Sequence, residues 1–236
     1  MFTLCAAAMP RAGAAPARYE LDPVHTRVQF AVWHAGFSQA LGTVSGSTGT
    51  LEFDPDDWTG ARLDVTVPLQ RLDLGDAGWN RAALARNLLD GQRWPLARFV
   101  SERVEPLAPD RFIVHGRLSL HGVTRELPLE VRFNALRRHP LPPFRRVAGF
   151  SATAVLERSA FGIDAWPSMI GERVELRIEA EAVRARGASG GQDGHAESAA
   201  LPEWSDPGDE PAPVSDPPAE CVCDPSQPAR QEPTLP

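Results

Sequence analysis

Asp22 and His25 are the two residues whose types and spacing best suit catalysis. They flank a Pro-Val pair, and a turn there would bring the carboxylate to the imidazole. An Asp–His pair of this kind can orient a general base. A nucleophile would also be needed, and none of the available serines (Ser45, Ser47 and Ser151) lies in a strained G-x-S-x-G elbow. The sequence leaves two alternatives, a hydrolase using Asp22 and His25 or, as it favours, a hydrogen bond in a turn that opens a strand.

The histidines and cysteines do not predict a metal site. No H-x-x-x-H or H-x-H pair, the spacings that present two imidazoles to one metal, occurs among His25, His34, His115 and His121. The cysteines lie outside the patterned region, so the fold depends on neither a disulfide nor a cysteine metal site. Cys221-Val-Cys223 is either a metal-binding or oxidisable pair or two incidental thiols, and Cys5 stands alone. We expect no metal and no cofactor.

Arg158 and His34 are candidates for contact with the polar end of a ligand. An arginine can hold a pyrophosphate or a carboxylate through two parallel hydrogen bonds. Arg158 could equally pair with Glu172 and fix two neighbouring strands. His34 ends an apolar strand face, where it either reaches a ligand or is an ordinary, partly buried side chain.

An alternation of apolar and polar residues predicts β-strands through most of the chain. A period of two means that one face of each strand is buried and the other faces water. It is clearest in the two strands that a tight turn at His121-Gly122 joins. We predict strands at about 18–34, 40–54, 61–71, 97–107, 110–120, 123–136, 146–158 and 170–185.

The period changes once, between the third and fourth predicted strands. Leu84 and Leu88 are four residues apart among alanines, which predicts a short helix over 80–89 that stops at Asp90-Gly91. Eight antiparallel strands with one or two short helices favour a closed up-and-down barrel over a sandwich. The interior of such a barrel takes either packed side chains or one slender ligand.

Composition and charge exclude several classes of function. The chain is 42% hydrophobic and 23% charged, with no apolar run long enough to span a membrane as a helix. Its net charge of −7 comes from residues 187–236, which hold ten acidic residues and one arginine. Residues 1–186 are thus close to neutral and carry no basic footprint for nucleic acid.

The two ends of the chain do not have the pattern of a fold. Residues 1–17 resemble the second half of a secretory signal, with an A-x-A cleavage site at Ala15-Pro16-Ala17, and predict export to the periplasm or outside the cell. A cytoplasmic extension is the alternative. Residues 187–236, with ten prolines, predict a disordered acidic tail after a barrel at 18–186.

The strand faces predicted to point inward are the candidate binding surface, because core and pocket share one space in a barrel of this size. Small inward residues, including Ala152 and Ala154, would leave volume for a ligand. The candidate ligand-binding residues are Phe30, Val32, His34, Phe53, Leu63, Val65, Leu84, Leu88, Phe99, Leu118, Val131, Phe133, Phe150, Ala154, Leu156 and Arg158.

Several short motifs, in order and at these spacings, resemble one family. They are Tyr19-Glu-Leu-Asp-Pro-Val-His-Thr-Arg-Val-Gln-Phe30, His34, Leu88-Leu-Asp90 with Trp94-Pro95, Gly116-Arg-Leu-Ser-Leu-His-Gly-Val-Thr124, Ala148-Gly-Phe-Ser151 and Arg158-Ser-Ala-Phe-Gly-Ile163. Over roughly residues 19–184 the chain resembles the YceI-like family, polyisoprenoid-binding proteins with a lipocalin-like barrel.

The resemblance implies an elongated apolar cavity that binds an isoprenoid or another long acyl chain without turnover, in a protein exported to the periplasm. The sequence departs from the family at two places. Asn80-Arg-Ala-Ala-Leu84 lacks the acid and the histidine of the usual R-D-x-H-L, and Ala160 replaces the acid of R-S-D-F-G. A ligand head group that binds those polar residues in other members of the family would meet different side chains here.

The sequence therefore leaves three alternative functions. The first is a carrier or sequestering protein for an isoprenoid quinone, a polyprenyl chain or a similar lipid, with a helix covering one end of the barrel. The second is the hydrolase, and the third is a structural or stress-response module whose barrel is fully packed. The sequence leaves the oligomeric state open, with a dimer among the alternatives.

Overall fold

The computed structural model describes residues 16–186 of the chain. The predicted signal, apart from its last two residues, and the predicted acidic tail with Cys221 and Cys223 lie outside the described residues, as does Cys5.

The described residues form eleven antiparallel strands. Their bounds are β1 Ala17–Leu21, β2 Arg27–His34, β3 Ser38–Ser45, β4 Thr48–Asp54, β5 Asp57–Pro68, β6 Leu72–Asp73, β7 Leu96–Ala108, β8 Arg111–Leu120, β9 Val123–Arg138, β10 Arg146–Glu157 and β11 Ile170–Arg184. One helix, α1, spans Ala77–Ala83, and 3₁₀ turns cover Leu69–Arg71 and Arg158–Phe161.

These strands build eight walls, because three walls are interrupted. The strands β1 and β2 together form the first wall, β3 and β4 the second, and β5 and β6 the third. The long strand β11 pairs with β2 along Arg27–His34 and with β1 along Tyr19–Leu21, which joins the last wall to the first. The predicted closed, eight-stranded, antiparallel barrel is confirmed.

The first two walls break side by side, where the sequence predicted continuous strands. The carboxylate of Asp22 accepts the N–H groups of Val24 and His25 at 2.8 and 3.2 Å, which bends the first wall into a turn. Gly46 interrupts the second wall with a φ of +76°, a conformation that favours glycine. Its N–H donates to the carbonyl of Pro23 at 3.2 Å, so the two breaks support each other.

The helix begins and ends earlier than the predicted 80–89. Asp76 caps it by accepting the N–H of Trp79 at 2.9 Å, a strong start signal eight residues before Leu84, where the leucine pattern begins. After Leu84 the chain leaves the helix through successive turns up to Asp90, whose φ is +44°. Leu88 and Leu89 reach the barrel interior from these turns rather than from a helix face.

A cluster of stacked rings fills one end of the barrel. We call it the aromatic floor; its members are Tyr19, Phe53, Trp58, Phe112, Phe133 and Phe150. Trp58 lies between Phe53 and Phe112, with ring centroids 4.9 and 4.7 Å away. Phe53 also contacts Tyr19 at 4.7 Å, so the stack crosses the barrel between opposite walls. The β4–β5 and β7–β8 turns lie at this end.

The opposite end of the barrel is the mouth. It is formed by the β2–β3 turn, α1 with the turns that follow it, the His121-Gly122 turn and the connection between β10 and β11. His121 and Gly122 have φ values of +51° and +77°, as a two-residue type I′ hairpin requires, and the predicted turn is confirmed at these positions.

Candidate functional site

An elongated lumen of about 760 Å³ runs inside the barrel from the mouth to the aromatic floor. All eight walls and the residues around α1 contribute to it. Its lining is apolar apart from a few side chains. Among the described residues, the polar ones that line it are Thr26, His34, Ser47, Arg62, Ser101 and Arg158.

The lumen exists because small inward residues face larger ones that cannot meet across the barrel. Ala61, Ala97 and Ala152 each present only a methyl group to it. Other inward residues, such as Phe30 and Ile178, consequently remain only half-buried. An eight-stranded barrel can be filled by its own side chains. This one is not, which contradicts the fully packed alternative.

Twelve of the sixteen residues predicted from the sequence line this lumen. They are Phe30, Val32, His34, Leu63, Val65, Leu88, Phe99, Leu118, Val131, Phe150, Leu156 and Arg158. Their shared position follows from the period of two, which assigns each residue to the inner or the outer face of its wall. A role in binding stays a prediction for each of them.

The structure places the other four predicted residues away from the lumen surface. Phe53 and Phe133 belong to the aromatic floor, behind Trp58 and Phe150, because ring stacking fills that end. Leu84 lies at the end of α1 and packs into the core. Ala154 points inward but is enclosed by core side chains.

Sequence reasoning missed several residues of the lumen. Trp58 is the most important, because it forms the surface of the aromatic floor. Around the mouth, Trp33, Trp79, Trp166 and Met169 also line the lumen. Two of these four lie in connections without a periodic pattern, and only their large apolar side chains could have drawn attention to them.

His34 is placed at the mouth, as its position at the end of an apolar strand face predicted. It lines the lumen and is half-buried. Its ring centroid lies 5.3 Å from that of Trp79 on α1, which joins the first wall to the helix above it. His34 is therefore one of the few polar groups that a ligand in the lumen could meet at its outer end.

Arg158 fastens the connection between β10 and β11 rather than pairing with Glu172. The guanidinium is buried, and it donates to the carbonyl groups of Ile163, Ala165, Ile170 and Gly171 at 2.7 to 2.9 Å. Glu172 instead accepts the hydroxyl and the N–H of Ser159, and the hydroxyl contact is the main cause that lowers the pKa of Glu172. Four of the five N–H donors of Arg158 are therefore occupied.

Asp22 and His25 do form the predicted pair, on an exposed turn outside the lumen. The His25 Nδ1–H donates to Oδ2 of Asp22 at 2.8 Å. This contact and the charge of Asp22 raise the pKa of His25. Partial burial raises the pKa of Asp22, but the hydrogen bonds from the His25 ring and two backbone N–H groups outweigh it and lower that pKa. Among residues 16–186, no serine is hydrogen-bonded to His25.

The Asp22–His25 pair should make the stability of the barrel depend on pH. The pKa of His25 is raised in the folded protein, so protonated His25 stabilises the fold. This stabilisation is complete below the unfolded pKa of 6.5 and is lost as the pH rises through the folded pKa. The pKa of Asp22 is lowered, so its carboxylate stabilises the fold above the unfolded pKa of 3.8. This stabilisation is lost as the pH falls through the folded pKa. We expect His25→Gln to destabilise more at pH 5.5 than at pH 9. Denaturant unfolding of both proteins at the two pH values measures the loss of stability. A loss that is larger at pH 9 than at pH 5.5 would contradict the pairing of His25 with Asp22.

Ser47 has an unusual environment for a polar residue. Within the described part of the chain, its hydroxyl is the only buried side-chain N or O atom without a hydrogen-bond partner. Ser101, on another wall, is also buried, but its Oγ accepts the N–H of Leu63 at 2.8 Å. The two serines therefore offer a matched comparison between an unpaired and a paired hydroxyl.

Replacing these two serines should change stability in opposite directions. Ser47→Ala removes an unpaired buried hydroxyl and is expected to raise the free energy of unfolding by about 1 kcal/mol. Ser101→Ala leaves the N–H of Leu63 without its acceptor and should lower it by about 1–2 kcal/mol. Denaturant titrations of both variants would measure the two shifts. Equal destabilisation by both changes would mean that Ser47 has a partner.

No group of three or more His, Cys, Asp or Glu side chains is placed to hold a metal ion within residues 16–186. Over the same range, no helix combines the length and the apolar character that crossing a membrane would need.

The model of the YceI-like domain matches residues 19–182, nearly the whole barrel. The chain belongs to the YceI-like family. One YceI-like relative, a UPF0312 protein of Pseudomonas savastanoi pv. phaseolicola, is 30% identical over 160 residues, which cover 68% of this chain and 82% of that protein. The family predicted from the short motifs is thereby confirmed.

Solved YceI-like structures share the barrel. Burkholderia cenocepacia BcnA superposes with a TM-score of 0.62 at 19% identity, covering 68% of this chain and 98% of that one. A polyisoprenoid binding domain from Saccharophagus degradans, implicated in plant cell wall breakdown, superposes with a TM-score of 0.53 at 14% identity, covering 71% and 98%. At these identities the likeness concerns the fold.

Proposed function

We propose that this protein binds a long-chain, isoprenoid-like lipid in the lumen and carries or sequesters it without chemical change. The observation that carries the proposal is the lumen itself, about 760 Å³ of apolar-lined space closed at one end by the aromatic floor. The YceI-like family and the similarity in fold to a polyisoprenoid binding domain support the same ligand class.

The affinity would come from burial of the hydrocarbon chain. Each CH₂ group that leaves water contributes about 0.8 kcal/mol before entropic losses. The lining offers nearly no polar group with which a reactive centre could be built. Asp22 and His25 lie on an exposed turn, so the hydrolase has no geometric support from the lumen.

The polar side chains at the mouth favour an uncharged head group. A pyrophosphate would need a free cation, but Arg158 has four of its donors committed to backbone carbonyl groups. His34 remains as a hydrogen-bonding group near the outer end of the lumen. A quinone or an alcohol suits this arrangement better than a diphosphate. Entry and exit of the chain require α1 or the adjacent turns to move.

Export is part of the proposal and rests on the sequence. The resemblance of Ala15-Pro16-Ala17 to a cleavage site supports a periplasmic or secreted protein. N-terminal sequencing of the mature protein from fractionated cells would test it. A protein recovered from the cytoplasm with residues 1–17 intact would contradict this part alone.

The central experiment is organic extraction of the purified full chain, followed by mass spectrometry. We expect a lipid with a long hydrocarbon chain in a stoichiometric amount, and reloading of the extracted protein with a prenyl quinone or a prenyl alcohol. Turnover of the bound lipid that disappears in His25→Ala, with the fold retained, would instead favour the hydrolase. A protein that neither carries nor takes up such a lipid would overturn the proposal.

The position of Trp58 makes it the expected limit on chain length. Trp58→Leu shortens the side chain at the floor, and the lumen should then accept a longer ligand. We expect the ratio of affinities for prenyl alcohols of five and three isoprene units to rise at least fivefold, because each additional buried CH₂ contributes about 0.8 kcal/mol. Titration of both alcohols measures the ratio.

Phe30→Leu is the matched control for Trp58→Leu. Phe30 lines the lumen on β2, away from the floor, so its truncation widens the lumen without lengthening it. The affinity ratio should stay near that of the original protein. Equal shifts in the two variants would show that volume, rather than the position of the floor, sets the preference.

A further inference from the structure

Five large apolar side chains are exposed together around the opening of the lumen. We call this surface the mouth patch; its members are Trp33, Phe37, Trp79, Trp166 and Met169. Phe37 is 89% exposed, and the other four are each about half exposed. Single exposed apolar residues need no explanation, but several at one cavity entrance mark an interaction site.

Short contacts bring the members of the mouth patch to one end of the barrel. The ring of Trp79 lies 5.3 Å from the ring of His34, centroid to centroid. Trp33 precedes His34 on β2. The N–H of Ala35 donates to the carbonyl of Met169 at 2.7 Å, and the N–H of Met169 donates to that of Trp166 at 2.9 Å. The β2–β3 turn and the β10–β11 connection are thus joined.

Phe37 is held outward by the geometry of its turn. Ala35 and Gly36 have φ values of +50° and +74°, and the N–H of Phe37 donates to the carbonyl of His34 at 3.0 Å. This is a tight type I′ hairpin turn, which fixes the residue that follows it. The turn therefore sets Phe37 at the end of the β2–β3 connection, where its ring is exposed.

The mouth patch is continuous with the lumen. Trp33, Trp79, Trp166 and Met169 are exposed to solvent, and each also lines the cavity. A hydrocarbon chain that moved past them would remain in apolar contact from the outer surface to the aromatic floor. A ligand that left through water would instead lose about 0.8 kcal/mol for every CH₂ group it exposed.

We propose that the mouth patch docks on the surface of a lipid bilayer and that the ligand passes directly between bilayer and lumen. The transfer of a ligand in this inference rests on the proposed function, that the lumen binds a lipid. Three of the five members are tryptophans, the side chain that most favours the boundary between hydrocarbon and head groups. The alternative outcome of the test is that the mouth patch binds a protein partner instead of a bilayer.

The charged residues beside the mouth patch include both signs. Arg81 and Arg86 are exposed on α1 and the turn after it, whereas Asp76 and Asp164 are exposed three residues before Trp79 and two residues before Trp166. The five patch members themselves carry no charge, so nothing in the patch opposes insertion among the acyl chains. Arginine near an anionic membrane surface contributes about 1 kcal/mol, a factor of about five in affinity.

The test is flotation of the full chain with vesicles of phosphatidylcholine, with and without 30% phosphatidylglycerol. We expect the original protein to float with both. Phe37→Ser combined with Trp166→Ser should reduce binding to both at least tenfold. Arg81→Gln combined with Arg86→Gln should reduce binding to the anionic vesicles only. Quenching of tryptophan fluorescence by brominated lipids should report contact in the original protein.

A matched double variant controls for general loss of apolar surface. Leu107 and Leu141 are each more than 60% exposed but lie near the floor end of the barrel. Leu107→Ser with Leu141→Ser should float like the original protein. Equal loss in both double variants, or no flotation of the original protein, would overturn the docking inference. A dimer that the Phe37 and Trp166 changes dissociate, without vesicle binding, would also overturn it in favour of a protein partner.

Uptake of a prenyl alcohol from detergent micelles separates the two proposals. Normal uptake without vesicle binding would overturn the docking inference and leave the proposed function standing. Vesicle binding through the mouth patch without uptake from either source would overturn the proposed function and leave docking standing. Phe37→Ser alone, which changes the one mouth-patch member that does not line the lumen, should still take up the alcohol from micelles.

Discussion

Ala152→Trp is expected to abolish lipid uptake while the barrel stays folded. Ala152 lies on β10 with its methyl group lining the lumen, opposite Val131 on β9 and Ile178 on β11 in the strand register. The indole would occupy space that is empty in this structure, so the cost of overpacking should stay near the lower end of about 1–3 kcal/mol. If it excludes only three CH₂ groups, affinity falls on the order of 50-fold.

The next residue provides the control for this change. Thr153 is exposed on the outer face of the same strand, so Thr153→Trp adds the same side chain outside the barrel. Titration with a prenyl alcohol and a near-ultraviolet circular dichroism spectrum would be compared for both variants. Ala154, which the sequence pattern also predicts to be a ligand-binding residue, is enclosed by the core, and a tryptophan there would test stability first. Unchanged uptake by Ala152→Trp would place the ligand elsewhere.

Arg158→Met is expected to lower the free energy of unfolding by about 3–5 kcal/mol. The change removes the donor from four carbonyl groups in and next to the connection between β10 and β11; the bond to Ile163 is buried and the other three are partly buried. A loss of this size is a large share of the 5–15 kcal/mol that typical domains have. Denaturant unfolding would measure it, and hydrogen exchange should show the connection opening first.

Two comparisons separate the hydrogen bonds of Arg158 from its charge. Arg158→Lys keeps the charge but offers a compact ammonium that cannot reach four carbonyl groups in different directions. It should therefore lose most of the same stability. Arg173 is exposed on β11, and Arg173→Met should change stability by no more than about 0.5 kcal/mol. A mild effect of Arg158→Met, equal to that of Arg173→Met, would contradict this account.

The period of two was sufficient to predict the barrel and most of its inner surface. Residues such as Val32, Val65 and Val131 were placed on the lumen because alternation fixes the face of a strand. Alternation does not fix the height of a residue along the barrel axis. Phe53 and Phe133 have the same inward parity but lie within the floor, behind Trp58 and Phe150, since stacking between distant strands determines how far down the void extends.

Local hydrogen bonds explain where the predicted boundaries were wrong. Asp22 interrupts the first wall by binding two N–H groups of its own turn, and Asp76 starts α1 before the leucine pattern begins. Both aspartates stand at positions where turn and cap chemistry could have been predicted. Trp166 offered no such signal, because its place at the mouth depends on contacts between segments far apart in sequence.

The aromatic floor makes the barrel a vessel with one opening. Under the proposed function, a lipid must enter tail first and leave head first, so a recipient would meet its polar end before the hydrocarbon. A barrel with one opening cannot pass the lipid from one side to the other. The protein would have to turn, or travel, between donor and acceptor.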